Sequence, residues 1–137
     1  MSNVIQFELV SPEEKLVSED VYMAEIPGDD GVFGVLPGHE SLVSSLRVGV
    51  VRLHKEKGGD VREIFIAGGF ADVTAQSCTV LAEEAINVSD LSAESLEQYL
   101  TDLRDDLSSA EEKADKKRVE ARIALTKAKL AAVASAA

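Results

Sequence analysis

Tryptophan is absent from this 137-residue chain, cysteine occurs once, histidine twice, and aromatic residues make up only 4%. A protein so poor in rings must fill its core with Val, Leu and Ile, and an aromatic-lined ligand pocket is not expected. A single cysteine permits neither an internal disulfide nor a cysteine–zinc cluster. Its setting, Cys78-Thr79-Val80-Leu81, reads as a strand in which the thiol packs as a small hydrophobe. His39 and His54 belong to no His-x-x-x-His or His–Cys spacing, so neither a metal nor a cofactor is expected. Positive charge is also scarce: 14 Lys and Arg against 25 Asp and Glu leave a net charge of -11. Nucleic acid and anionic lipid would both repel such a protein. No apolar run approaches the ~18 residues of a membrane helix. The first residues show no basic segment ahead of an apolar one, so no secretory signal is expected and the protein should face the cytosol.

Catalytic patterns are missing as well. There is no nucleophile elbow, no dinucleotide fingerprint and no Gly-x-x-x-x-Gly-Lys loop. Gly68-Gly69 lacks the lysine and helix start of a phosphate loop and reads as a strand bend. Asp29-Asp30 lacks the ligand spacing of a calcium loop and reads as a solvated turn. His39 is the best placed base, in a turn, but no nucleophile accompanies it. The residues point to an interaction protein.

Turns and short strands dominate the first two thirds. Ile26–Val51 carries two of the three prolines, in Pro27-Gly28 and Pro37-Gly38, where proline presets φ and glycine accepts the positive φ that follows. These turns read as two exposed β-loops facing one direction. Ile5, Phe7 and Leu9 alternate with Gln6 and Glu8, which predicts a half-buried strand. Further strands are expected at Leu16-Val17, 21–26, 32–36, 42–46, 48–54, 61–67, 70–74 and 78–82, with a hairpin turn at 57–60. Strands at this spacing predict an antiparallel β-sandwich or flattened barrel that closes its core by about Val88.

From Ser89 onward glycine and proline vanish and the period lengthens. Leu96, Leu100, Leu103 and Leu107 form one helix face, with Ser92 as N-cap. Ser108 to Glu111 and Ser109 to Glu112 read as two overlapping capping boxes opening a second helix over about 110–134. Its small-residue face, Ala114, Ala121, Ala124, Leu125, Ala128 and Ala131, predicts close approach to the first helix. The first helix is acidic and the second basic, which favours antiparallel pairing. The expected architecture is therefore two-part α+β, with a sandwich over 1–88 and an antiparallel two-helix hairpin over 89–137.

The run Gly28-x-x-Gly31-x-Phe33-Gly34-x-Leu36-Pro37-Gly38-His39, followed by Val48-Gly49-Val50-Val51, resembles the N-terminal β-domain of the epsilon subunit of F-type ATP synthases, called delta in mitochondria. Phe65-Ile66-Ala67-Gly68-Gly69-Phe70-Ala71-Asp72-Val73 and Val80-Leu81-Ala82-Glu83-Glu84-Ala85 extend the likeness, and a helical hairpin is the family's second domain. The resemblance implies a non-catalytic rotor subunit that couples proton flow to ATP synthesis, peripheral on the cytoplasmic face of a bacterial inner membrane. Its implied partners are the gamma subunit, the ring of c subunits and the alpha/beta head, with membrane contact only through the ring. Asp29, Asp30, Gly31, Val32, Pro37, Gly38 and His39 fall in the family's ring-facing region. Arg118 and Arg122 offer a basic face for regulatory contact with the head.

Two departures bear on these expectations. Glu40-Ser41 stand where the family usually has a small residue and proline. Many bacterial members open the first helix with Leu/Ile-Asp-x-x-Arg-Ala, whose Asp and Arg help bind ATP; here Ser92 and Ser95 stand at those positions. No nucleotide binding is expected by that route. Two other readings of the residues stay open: a ligand-binding sandwich with a helical dimerisation arm, and a small enzyme using His39 with Asp29 or Asp30.

Overall fold

A computed structural model describes residues 3–136. The protein divides into two compact units, Met1–Asn87 and Val88–Ala137. The first holds eight strands: β1 Ile5–Val10, β2 Lys15–Val21, β3 Met23–Gly28, β4 Gly31–Val35, β5 Leu42–His54, β6 Val61–Val73, β7 Ser77–Ala82 and β8 Ala85–Asn87. They form one open sheet in the order β2-β1-β7-β6-β5-β3-β4, with β8 alongside β6. All the pairs are antiparallel except β1 with β7, which is parallel.

The sheet becomes a sandwich because β5 and β6 serve both layers. The turn signals in the sequence predict a break in each of them. Instead each runs 13 residues unbroken. Core-facing residues in β5 are Leu42 and Leu46, then Val51 and Leu53; in β6 they are Ile64 and Ile66, then Ala71 and Val73. Both strands thus change phase, at positions that the register sets opposite each other, between Leu46↔Gly69 and Val48↔Ala67. A one-residue phase change turns the apolar face over, so the sheet folds across this line and both halves enclose one core. Gly68 and Gly69 sit on the fold line with φ of +95° and +140°. Phe7, Leu9, Ile26, Val35, Val51 and Val80 are among the side chains fully buried between the layers.

Pro27 leaves a visible mark. It cannot donate to a ladder, and the β3–β5 pairing shifts register between Glu25 and Gly28. Its ring lies where a side chain on Gly49 would stand: a Cβ there would be 2.8 Å from the Pro27 Cβ. Pro27-Gly28 is therefore the end of β3, and the turn itself is Asp29-Asp30, one step later than the dipeptide suggests. Pro37-Gly38 does turn as expected. Gly38 has φ +86°, and the His39 amide donates to the Leu36 carbonyl at 3.1 Å, which is a type II turn.

In the second unit a single 3₁₀ turn, Val88–Asp90, precedes α1, Ala93–Ser109, and α2, Lys113–Ala136. The Ser92 hydroxyl caps α1 by accepting from the Ser95 amide at 3.2 Å. Two expectations change here. Ser108 and Ser109 are not N-caps: both hydroxyls donate back to the Asp105 carbonyl at the end of α1. The hairpin seam is also not the alanine face. Leu100, Leu103 and Leu107 meet Val119, Ile123 and Leu130, while of the small-residue face Ala114, Ala121, Ala124 and Ala131 are exposed and Leu125 and Ala128 only half-buried. Branched side chains bury more area per turn than alanine, and burial decides which face turns inward.

Candidate functional site

Asp29 and Asp30 form the exposed tip of the β3–β4 hairpin, and the Asp29 amide donates to the Ser45 carbonyl at 3.1 Å. Neither needs a positive φ, because Gly31 takes it at +132°. Beside them Val32 is 60% exposed. The tip is a rigid acidic point with an apolar flank, held to β5 beside the fold line.

Pro37, Gly38 and His39 lie elsewhere. They follow the other end of β4, and the Gly38 amide donates to the Ala75 carbonyl at 2.8 Å, tying this turn to the β6–β7 connection. The five residues of β4 separate the two loops by about 13 Å of strand rise. The loops do not face one direction. This separation also removes the enzyme reading, since His39 shares no site with Asp29 or Asp30. The His39 Nδ1 instead donates to the Glu40 carbonyl at 2.7 Å. His54 is likewise engaged, with Nε2 2.7 Å from the Glu25 carboxylate. Among the described residues no cluster of His, Cys, Asp or Glu is arranged to hold a metal ion.

A surface that the motifs did not flag stands out on the outer face of the second layer. Val43 is 73% exposed, Phe70 56% and Leu81 55%. The register places Phe70 opposite Leu81 and Leu81 opposite Val10, so these side chains form a patch across β6, β7 and β1 with Val43 on β5 beside it. A signal for it exists in the sequence: Cys78, Val80 and Ala82 point inward, which forces Leu81 outward by alternation. Exposed apolar side chains gathered on one face of a sheet suit contact with another protein.

Cys78 is buried and is not part of any site. Burial, with Asp72 nearby, pushes its thiol from 9.0 up to about 12. The unfolded thiol ionises first, so stability conferred by the neutral form is complete below pH ~9 and is lost as pH rises towards ~12. Native protein at pH 8 should resist alkylation by iodoacetamide and react fully only after unfolding, as mass spectrometry would record.

Ser92 and Ser95 sit together at the start of α1, where both are exposed and Ser92 serves as the cap. Arg118 and Arg122 are exposed one turn apart on α2, and the Arg118 guanidinium pairs with Asp115 within the same helix.

Residues 4–88 match the family model described as ATP synthase, Delta/Epsilon chain, beta-sandwich domain, and residues 93–137 match the model for the C-terminal domain of the ATP synthase epsilon subunit. The ATP synthase epsilon subunit of Rhodospirillum centenum is 44% identical over 139 aligned positions, covering 98% of this protein and 95% of the relative. That of Rhodospirillum rubrum is 45% identical, covering 96% and 98%. Among solved structures, a subunit of the Euglena gracilis mitochondrial ATP synthase (OSCP/F1/c-ring) superposes with a TM-score of 0.81 at 27% identity, over 97% of this protein and 83% of that one. A subunit from the central stalk and c-ring of the Tetrahymena thermophila mitochondrial enzyme shares the fold, with a TM-score of 0.59 at 10% identity.

Proposed function

We infer the role of this protein from its family: it belongs to the ATP synthase delta/epsilon family, whose two domain models together match nearly its whole length. It is a central-stalk subunit of a proton-translocating F-type ATP synthase and couples proton flow through the membrane ring to ATP synthesis in the head. It does so without catalysing a reaction itself. In this reading the subunit is peripheral, on the cytoplasmic face of a bacterial inner membrane, and touches the bilayer only through the ring. No helix among the described residues is long and apolar enough to cross a membrane.

The observation that carries the partner assignment is that two unlike surfaces occupy different parts of one stiff sandwich. The apolar patch of Val43, Phe70 and Leu81 suits a lasting contact and is the face for the gamma subunit. The acidic tip at Asp29 and Asp30, with Gly31 and Val32, is the face for the polar loops of the c ring. Pro37, Gly38 and His39 brace the opposite end of β4 and join the ring contact only indirectly. Rigid turns suit a joint that transmits torque, because little freedom remains to be lost when it engages. The hairpin is the regulatory part. Arg118 and Arg122 present positive charge to the alpha/beta head, and no ATP binding is assigned to Ser92 and Ser95.

Replacing both Asp29 and Asp30 by Lys tests the ring assignment. Like-charge or unpaired groups at a contact cost several kcal/mol, so proton-driven ATP synthesis in membrane vesicles should fall on the order of tenfold. ATP hydrolysis by the detached soluble head should stay unchanged. Undiminished synthesis would move the ring contact away from this tip.

A further inference from the structure

We propose that the free edge of β4 takes up an extended segment of another polypeptide. That segment is apolar at its centre, sets an aromatic residue against Gly34 and carries Lys or Arg beside Asp29 and Asp30. The strand order has two ends, β2 and β4. An unpaired edge is a template for a further strand, and proteins commonly blunt it with charge. β2 is blunted in this way, with Lys15, Glu19 and Asp20 along it. β4 is not: Gly31-Val32-Phe33-Gly34-Val35 carries no charge. Its register with β3 shows which groups are free. Gly28 faces Gly31 across the two-residue turn, so Gly31, Phe33 and Val35 bond inward to β3. Alternation turns the N–H and C=O groups of Val32 and Gly34 outward, where no strand among the described residues pairs with them.

The side chains define what fits. Val32 is 60% exposed and Leu36, just beyond the strand, 42%. Both stand on the outer face, with Gly34 between them. A Cβ on Gly34 would meet only the Met23 Sδ, at 3.5 Å. Gly34 therefore leaves a notch beside Met23, between two apolar side chains. An aromatic ring on a neighbouring strand covers an edge glycine of this kind, and contact of that ring with the Met23 sulfur is favourable. Charge then selects among strands. The hairpin tip puts Asp29 and Asp30 at one end of the edge. An antiparallel segment with cations after its apolar centre is matched there. A second copy of this protein is not, because each copy carries a net charge of -11 and like-charged molecules repel.

The test uses the isolated full-length protein and the end-blocked peptide Thr-Val-Thr-Phe-Thr-Val-Lys-Lys, followed by amide NMR. Saturable shifts and slower exchange are expected at Val32 and Gly34, with the β2 amides unmoved. Replacing the peptide's Phe by Gly should weaken binding about fivefold. Replacing both of its Lys by Glu should weaken it about tenfold. V32K puts a charge on the edge and should abolish binding. V32P, which removes an outward N–H and leaves the ladder to β3 intact, should weaken binding about fivefold. No shift at ~1 mM peptide would overturn the proposal. Equal binding by V32K, or shifts centred on β2, would overturn it too. Self-association of the wild type that V32K abolishes would give the edge to a second copy and likewise overturn it. Only Val32 is shared with the tip assigned to the ring, and no other subunit enters the experiment. Its failure is therefore distinct from failure of the docking assignments.

Discussion

Gly69→Ala is expected to cost the sandwich more than ~4 kcal/mol, against about 1 kcal/mol for Gly38→Ala. Both glycines hold positive φ, +140° and +86°. Backbone strain alone, about 1–3 kcal/mol, would not separate them widely. Their surroundings do. A Cβ on Gly38 meets nothing within 4 Å, whereas one on Gly69 runs into the backbone carbonyl of Leu81 and lies 2.9 Å from the Ala82 Cα. Backbone cannot swing aside as a side chain can, so β6 and β7 would have to part. At about 4–8 °C per kcal/mol for a domain of this size, thermal melting should drop by at least ~15 °C for Gly69→Ala and by ~5 °C for Gly38→Ala. Equal shifts would mean that the fold line tolerates a side chain and that the sheet bends for another reason.

The second large effect is expected in the hairpin. Ile123→Asp should abolish most of its helical signal while the sandwich melts as before. Two helices of 17 and 24 residues gain most of their stability from the seam they share rather than from intrinsic propensity. That seam is short, with Leu100, Leu103 and Ile123 as its buried members. A carboxylate among them loses the isoleucine contacts and must be desolvated or drive the helices apart, at roughly 3 kcal/mol or more. Ala124→Asp, one residue on and exposed, should cost under ~0.5 kcal/mol. Circular dichroism at 222 nm distinguishes the pair. If Ala124→Asp unzips the hairpin and Ile123→Asp does not, the seam is the alanine face after all.

That alanine face shows where sequence reasoning fell short. Ala114, Ala121 and Ala124 recur at helical spacing, and so do Val119, Ile123 and Leu130; the choice between two such faces depends on buried area, which periodicity does not measure. The serines at 108 and 109 posed a similar ambiguity, since a hydroxyl can cap the next helix or bond back to its own. Alternation in β1, the short apolar runs of β4 and β7 and the N-cap at Ser92 were, by contrast, read with little error, because those signals are local. β8 was invisible: three residues hold no period, and only the crossing at Gly68 reveals the pairing. The bend was legible at Gly68-Gly69, and its partner at Arg47 as a break between two short strands, but that β5 and β6 each run on unbroken through it was not, because continuity comes from the long-range pairing of the two. The two loops were recognisable as turns. Their placement at opposite ends of β4 was not, as direction follows from register and register from long-range pairing.

The rotor role depends most on the apolar patch. Purified gamma subunit, titrated against the wild-type protein and against F70E, measures it directly. Phe70 is exposed and lies outside the core, so F70E should melt within ~0.5 kcal/mol of wild type. The wild-type protein should bind gamma, and F70E should bind about thirtyfold more weakly or worse, as expected for an aromatic anchor at the centre of an interface. Equal affinity of the two proteins would contradict the assignment of this face to the central stalk.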